Sequence, residues 1–468
     1  MHLLLILAIY FVSFLDKPEK TAPQLSDRAV AQRQKWHIAT DQMDYPVSTL
    51  YCDSLRRMGI RIHHKSRWFN GATVEMNDSL ADEVSRLSFV TAVEMTREDI
   101  EMTDVPKKCR RKYESASARQ DGITGVIWTD EQLATYNLHP LHQAGYEGQG
   151  ILMAVCDGSF HNADNLDCFR PKLELGHFDF TDDKDDFYGF TGSHGTYCLS
   201  VISGLTDEFR GAATRAEYYL MRSEELDTES PKEMDNLVAA LEKADSLGVN
   251  VFSVSLGYAM FDNEQWTLPQ SALDGRSTRA SLAATIAARK GMLVCVAAGN
   301  EGVSPWHMIS VPADADSILT VGAVGTDSLI GFFSGYGPSA DGRVKPDVCA
   351  VGVQTTLIDP YNNVFTGNGT SFATPLLAGF AATLWSALPD ENAMQIRERI
   401  LRSADRYGQP DTDQYGYGIP NAWAAYQMAP TALITPASDT SCQKTLRNGQ
   451  IYLLRNGKTY NMTGQIVR

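Results

Sequence analysis

Three distant segments of the chain each carry a side chain of the kind that works in acyl transfer. Ser371 lies in GNGTSFATP, His194 lies in GSHGTYC, and Asp157 ends the apolar run ILMAVCD. A serine hydroxyl becomes a good nucleophile only when a base takes its proton, and a histidine base needs a carboxylate to hold its tautomer and orientation. The order aspartate, histidine, serine is one in which such triads occur. The three residues therefore predict a nucleophile, a base and an orienting carboxylate.

A fourth segment offers a donor for the negative charge that develops on the attacked carbonyl oxygen. Asn300 closes the run MLVCVAAGN, and its amide and the backbone N–H of Ser371 would supply two hydrogen bonds. Each residue also has a simpler interpretation when it is taken alone. Ser371 could cap a helix, His194 could be an ordinary core or surface histidine, and Asp157 and Asn300 could be turn residues. Their joint occurrence favours catalysis.

The pattern between residues 130 and 428 is one of alternating strands and helices. Pro375 and the apolar residues behind it predict a helix that begins at or near Ser371. Short apolar strands that alternate with helices predict an α/β fold, a doubly wound parallel sheet that binds ligands at the carboxyl ends of its strands. The predicted strands are ILMAVCD, NVFSVSLG, MLVCVAAGN and ILTVGAVG, and the predicted helices lie at 233–247, 277–290 and 374–387.

The N-terminal part indicates a small domain of its own. Its pattern over residues 36–96 is strand–helix–strand–strand–helix–strand, which predicts a ferredoxin-like α+β fold. The apolar run at 3–15 is typical of an export signal and is short for a membrane span; a membrane anchor and a misassigned start are the alternatives. We therefore expect a signal peptide at 1–20, the small domain at 21–112 and the α/β domain at 113–430.

The C-terminal part indicates a short β tail. A linker rich in proline, alanine, serine and threonine covers residues 431–441, and Asn456-Gly457 then lies between two alternating runs. An Asn-Gly pair in this position is typical of a β-hairpin. We expect the linker and tail to occupy residues 431–468.

Composition excludes several classes of site. Lysine and arginine number 41 against 57 aspartates and glutamates, a formal net charge of −16, which argues against a nucleic-acid partner. Eight cysteines are present without a CxxC pair, so neither a zinc ribbon nor a thioredoxin-type site is predicted. We expect no required cofactor. An acidic cluster leaves calcium open as a stabilising ion, but the EF-hand spacing is absent and a solvated loop is favoured; its members are Asp182, Asp183, Asp185 and Asp186.

Four segments between residues 130 and 428 resemble the subtilisin family (subtilases). ILMAVCDGSF is similar to the family's aspartate block, SHGTYCLS to its histidine block, VAAGNEG to its oxyanion-asparagine block and NGTSFATP to its serine block. The segment FFSGYGPSADGRVKPDV is also similar to a family segment. The resemblance implies that a substrate backbone pairs with Ser255, Leu256 and Gly257, and that Ala298 and Gly299 line the primary specificity pocket. Tyr197 stands where the family often has a second histidine, and Cys156 flanks the aspartate.

The flanking regions carry weaker resemblances. Residues 16–110 resemble the family's inhibitory propeptide, and the C-terminal IYLLRNGKTYNMTGQIV resembles the tail that directs proteins through the type IX secretion system. These similarities imply protein or peptide substrates, the chain's own propeptide and the type IX machinery as partners, and a secreted or outer-surface location reached via the periplasm.

The function predicted from these features is a serine endopeptidase with an acyl-enzyme on Ser371. The alternative is a catalytically inactive surface or adhesion protein on the same scaffold. A lipase-type hydrolase is disfavoured because the serine motif GTSFA lacks the glycine of GxSxG.

Overall fold

The computed structural model describes residues 7–19, 21–98, 117–118, 127–169, 174–181, 186–189, 192–226 and 228–429, together with strand residues 443–447, 450–455, 458–460 and 466–467. Two compact units, residues 1–427 and 428–468, make up the chain. Among the described residues, none of the helices has the length and apolar character that crossing a membrane requires.

A four-stranded antiparallel sheet forms the N-terminal domain, in the order β2-β3-β1-β4. Helices α2 and α3 pack on one face of it around Val12, Leu55 and Val84. The order of strands and helices is ferredoxin-like, as predicted. The elements in chain order are β1 (Ala8–Phe14), α1 (Asp27–Lys35), α2 (Thr49–Arg57), β2 (Arg61–Ser66), β3 (Gly71–Met76), α3 (Asp78–Val84) and β4 (Val90–Glu98).

The first strand of this domain differs from the prediction. HIAT at 37–40 is not a strand, and β1 instead comes from the apolar run interpreted as an export signal. β1 pairs with β3 on one side and β4 on the other, and its apolar side chains are at most 5% exposed. A strand inside a sheet and the apolar core of a signal peptide are both short unbroken apolar runs, so local pattern does not separate them. The folded domain therefore begins ahead of the boundary expected at residue 21.

A seven-stranded parallel sheet forms the core of the larger domain, in the order β12-β11-β10-β9-β6-β8-β7. Helices α6 and α9 cover one face and α7 and α8 the other, so the predicted doubly wound α/β fold is confirmed. The strands are β6 (Leu152–Asp157), β7 (Glu174–Asp179), β8 (Glu217–Arg222), β9 (Val251–Val254), β10 (Leu293–Ala297), β11 (Leu319–Val324) and β12 (Val348–Val351). The helices that cover them are α6 (His194–Ser203), α7 (Lys232–Leu247), α8 (Arg279–Arg289) and α9 (Thr370–Ala387).

Smaller elements complete the first unit. A three-stranded sheet joins β5 (Ser117–Ala118), β13 (Thr355–Ile358) and β14 (Val364–Gly367). Among the described residues, the other α-helices are α4 (Asp130–Ala134), α5 (His139–Gln143), α10 (Ala393–Ser403) and α11 (Ala422–Gln427). The N-terminal domain packs on the face that α7 and α8 cover, where its Trp68 enters their apolar cluster.

The second unit is an antiparallel sheet of four strands. They are β15 (Gln443–Arg447), β16 (Gln450–Arg455), β17 (Lys458–Tyr460) and β18 (Ile466–Val467). β16 and β17 pair so that Arg455 lies opposite Lys458, which is the hairpin predicted from Asn456-Gly457.

Candidate active site

Three adjacent strands bring predicted site residues to one edge of the parallel sheet. β9 lies between β6 and β10, and all three run in the same direction. Asp157 is the last residue of β6, Ser255 follows β9 directly, and Asn300 lies three residues beyond the end of β10. The carboxyl ends of parallel strands are the usual place for a site in such sheets.

Asp157 and His194 form a close pair. His194 is the first residue of α6, and its Nδ1 lies 2.7 and 2.9 Å from the two carboxylate oxygens of Asp157, which is fully buried. Gly195 makes this approach sterically feasible, because a Cβ there would lie 2.9 Å from the Asp157 Cβ and would overlap the Ser159 carbonyl oxygen. A carboxylate on Nδ1 fixes the tautomer that leaves Nε2 as the basic nitrogen.

Ser371 lies beside this pair in the first turn of α9. The Cys198 thiol lies 3.9 Å from His194 Nδ1 and 3.3 Å from the carbonyl oxygen of Ser371, so it links the two segments. The Ser371 hydroxyl donates to the Ser255 carbonyl oxygen at 3.2 Å rather than to His194. Hydrogen bonds of this kind are often loose without substrate, and rotation about the Cα–Cβ bond of Ser371 would redirect the hydroxyl.

Asn300 is held by the residue that precedes Ser371. Its Oδ1 accepts hydrogen bonds from the backbone N–H and the hydroxyl of Thr370, both at 2.9 Å. Because the oxygen is engaged, the amide nitrogen is left as the donor end of the side chain. The Ser371 N–H belongs to the first turn of α9, where helical N–H groups lack intrahelical acceptors. The two donors that an oxyanion needs are therefore present on neighbouring residues.

The two segments expected to bind substrate, 255–257 and 298–299, lie on either side of Ser371, and both approach Ser310. Ser255 donates its hydroxyl to the Ser371 carbonyl oxygen at 2.8 Å, and Leu256 and Gly257 follow it. Ala298 and Gly299 extend from β10, and the Gly299 carbonyl oxygen accepts the Thr370 hydroxyl at 3.1 Å. Both glycines face Ser310, because a Cβ at Gly257 would lie 2.8 Å from the Ser310 Cβ and one at Gly299 would lie 2.5 Å from its Oγ.

Ser310 is a site residue that the motifs did not reveal. Its hydroxyl lies 3.3 Å from Glu301 Oε2, which also accepts the Asn300 N–H at 2.8 Å. Glu301 could have been found from its place in GNEG, directly after Asn300. Ser310 lies in an unremarkable apolar stretch, and only the folded chain brings it between the two glycines.

A second missed group is a buried acidic pair beside the Asp157 segment. Tyr258 donates its hydroxyl to Glu224 at 2.6 Å, and Glu233 accepts the backbone N–H groups of Glu225 and Ser230. Burial, with the nearby charge of Glu224, raises the pKa of Glu233 well above its usual range. A Cβ at position 158 would lie 3.4 Å from the Glu224 Cβ, which places this pair next to the aspartate segment. No spacing in the sequence distinguished these glutamates from surface ones.

The two thiols near the motifs lie on opposite faces of the sheet. Cys156 packs in the cluster of α7 and α8, its Sγ lies 3.2 Å from Ser223 Oγ, and burial raises its pKa. Cys198 packs on the α6–α9 side with Asp157 and His194, and potential metal-ligand atoms of these three residues lie within 4.8 Å of one another. His194 Nδ1 and Asp157 already bind each other there. Of the acidic cluster suggested for calcium, three members (Asp182, Asp183 and Asp185) lie outside the described residues.

Comparisons with known proteins agree with this arrangement. Residues 137–418 match the model of the subtilase family of S8 peptidases, and residues 9–114 match that of the peptidase S8 propeptide domain of Bacteroidota. The second match begins inside β1, in agreement with the domain limit in the structure.

Individual relatives are similar to this chain over more than half of its length. Serine protease AprX of Bacillus subtilis (strain 168) is 28% identical over 59% of this chain and 66% of its own length. Subtilisin NAT of Bacillus subtilis subsp. natto is 30% identical over 61% of this chain and 68% of its own. The chain thus spans about two thirds of the length of these relatives. A crystal structure of MycP1 with its N-terminal propeptide removed has the same fold, with a TM-score of 0.51, 23% identity, and coverage of 65% of this chain and 98% of that one.

Proposed function

This chain belongs to the subtilase family, and from that premise we propose that it is a secreted serine endopeptidase that cleaves proteins through an acyl-enzyme on Ser371. The observation that carries the proposal is the hydrogen-bonded pair of His194 and the buried Asp157 beside a serine in the first turn of α9, with Asn300 held by the residue before that serine. An aspartate, a histidine, a serine and an oriented amide are the parts that acyl transfer requires.

The chemistry follows from these positions. The hydroxyl of Ser371 attacks the peptide carbonyl carbon while Nε2 of His194 takes its proton, and Asp157 stabilises the imidazolium. The amide of Asn300 and the N–H of Ser371 bind the resulting oxyanion. His194 then gives the proton to the leaving amine, and the ester that remains on Ser371 is hydrolysed by a water molecule that His194 deprotonates.

The same proposal covers the partners and the location. The N-terminal domain is taken as an inhibitory propeptide, and the substrates as proteins or peptides. The export route, through the periplasm and the type IX machinery to the cell surface, is supported by the resemblance of the tail. No cofactor is required for the steps above, and calcium would act on stability alone. Deleting residues 431–468 should leave the protein in the periplasmic fraction; unchanged surface delivery would count against the route.

Labelling with a fluorophosphonate probe tests the chemistry directly. The processed chain should take up probe and cleave casein, and Ser371→Ala should abolish both. Ser386→Ala is a matched control, because Ser386 lies on the same helix and donates its hydroxyl to the Thr383 carbonyl oxygen, away from His194. Folded, processed protein that takes up no probe would favour the inactive surface or adhesion protein instead.

A further inference from the structure

The segment between β1 and α2 leaves the N-terminal sheet and lies along the larger domain. We call residues 26–45, which include α1, the arm. It is anchored at its start, where the Ser26 N–H donates to the Ser246 carbonyl oxygen at 2.8 Å and the Ser26 hydroxyl to that of Leu247 at 3.0 Å. These contacts adjoin those of the N-terminal sheet, since Arg67, the residue after β2, donates to the Ser246 hydroxyl at 2.5 Å.

The arm passes across the amino ends of the parallel strands, on the side of the sheet opposite the candidate active site. Arg28 pairs at 2.5 Å with Glu217, the first residue of β8, and donates to the carbonyl oxygen of Gly150, two residues before β6. Gln32 donates to the carbonyl oxygen of Gly291, two residues before β10. All these partners lie at the amino ends of strands, whereas Asp157 and Asn300 lie at the carboxyl ends.

Buried charges join the arm to the larger domain in alternating sign. Arg33 of the arm pairs with Asp245 of α7 at 2.7 Å and with Asp44 of the arm at 2.7 Å. Lys290, next after α8, completes the series by pairing with Asp44 at 2.8 Å. None of these four side chains is more than 6% exposed. Each side thus contributes one cation and one anion, and separation would break two buried ion pairs, Arg33–Asp245 and Asp44–Lys290.

The packing around these charges is close. A Cβ at Gly248 would lie 2.6 Å from the backbone nitrogen of Ala29 and one at Gly291 would lie 2.7 Å from Ile38. The cavity between Arg33, Asp245 and Lys290 measures about 10 Å³, no more than one water molecule needs. Shape as well as charge therefore matches the arm to this surface.

We propose that the amino-end surface built around Glu217, Asp245 and Lys290 is an exosite that retains the N-terminal domain through its arm after the chain between the domains is cut. The arm and the sheet dock side by side on one folded unit, where both contact Asp245 of α7, so rebinding of either is intramolecular while the other stays bound. The proposal relies on the proposed function only for the cut itself.

The test uses a full chain that cannot cut itself. A recognition site for a sequence-specific endoprotease is placed within residues 101–120 of a Ser371→Ala chain, and that protease is added to cut the chain. Size-exclusion chromatography then shows whether the N-terminal fragment stays bound, and its dissociation rate is measured. Asp245→Asn leaves both Arg33 of the arm and Arg67 of the sheet facing a neutral partner, and losing this shared carboxylate should speed dissociation at least about tenfold. Asp207→Asn, which removes one exposed charge that takes part in none of the arm contacts described above, should not.

Exchanging the charges of the Arg28–Glu217 pair distinguishes a lost contact from a folding defect. Arg28→Glu should speed dissociation, and adding Glu217→Arg should reverse much of the effect, since both side chains are about a third exposed and tolerate either sign. Equal dissociation rates for Asp245→Asn and Asp207→Asn, or no rescue in the exchanged pair, would overturn the exosite. Because the chain carries Ser371→Ala and is cut by an added protease, this result does not depend on whether Ser371 is a nucleophile.

Discussion

We expect Thr370 to contribute measurably to kcat through its hydroxyl, which donates to the Asn300 side chain, although Thr370 itself does not contact the substrate. Thr370→Val keeps the shape of the side chain and the backbone N–H bond to Asn300 Oδ1, and removes the hydroxyl that lies 2.9 Å from Oδ1 and 3.1 Å from the Gly299 carbonyl oxygen. Each acceptor keeps a second donor, the Thr370 N–H for Oδ1 and the Gly335 N–H for Gly299. The loss is therefore one neutral hydrogen bond, worth about 1 kcal/mol.

If that hydrogen bond orients the Asn300 amide, its loss should raise the energy of the transition state in which the oxyanion forms. About 1 kcal/mol corresponds to a fall of about fivefold in kcat, with KM little changed. Asn300→Ala removes the donor itself and should cost about 10²–10³ in kcat, the range typical of one oxyanion donor. Because Thr370 acts through Asn300, the double variant should match Asn300→Ala alone.

Steady-state cleavage of a peptide p-nitroanilide measures all three variants. Thr383→Val is the matched control, since its hydroxyl is also buried in α9 but donates to the Ala212 carbonyl oxygen. A further fivefold loss when Thr370→Val is added to Asn300→Ala would refute an action through the amide. An unchanged kcat in Thr370→Val would refute the orienting role altogether.

Three further expectations concern maturation, thiol chemistry and pH. Ser371→Ala should accumulate the unprocessed precursor on immunoblots if the chain cuts itself, and normal processing would assign the cut to another protease. Mercurials should inhibit the enzyme by binding Cys198, because its sulfur lies 3.9 Å from His194 Nδ1. In an inhibition assay Cys198→Ser should be resistant and Cys156→Ser should remain sensitive; the reverse pattern would contradict this. Burial and Glu224 raise the pKa of Glu233, so the folded state binds its proton more tightly than the unfolded state and the free energy of unfolding should fall as pH rises above about 4.5. Urea unfolding between about pH 5 and about pH 8 in the Ser371→Ala background should show this slope reduced by Glu233→Gln; an unaltered slope would exclude Glu233 as its source.

The N-terminal strand shows where local pattern is ambiguous. Residues 8–14 are apolar because β1 is paired on both sides and lies inside the sheet. The same unbroken run satisfies the description of an export signal. The pairing partners, β3 and β4, lie about 60 to 90 residues further along the chain, so no short segment around β1 contains the information that decides between the two.

The missed site residues have a related cause. Ser310 and Glu233 carry no motif, since a serine in an apolar stretch and a glutamate in a helix are common everywhere. Their roles arise from approach by other segments, namely two glycines for Ser310 and the loop carrying Glu224 for Glu233. The arm was missed for the same reason, because its charges look like an ordinary solvated helix until Asp245 and Lys290 are placed against them.

The sequence by itself determined the kind of chemistry and the class of fold. Residue type and local spacing are enough for both, since a nucleophile needs particular neighbours and a parallel sheet needs apolar strands alternating with helices. The tertiary structure alone decided which groups meet: that Nδ1 of His194 faces Asp157, that the Ser371 hydroxyl turns to Ser255, and that the arm lies at the far edge of the sheet. Such contacts join residues tens to hundreds of positions apart, and their distances depend on the packing of the whole domain.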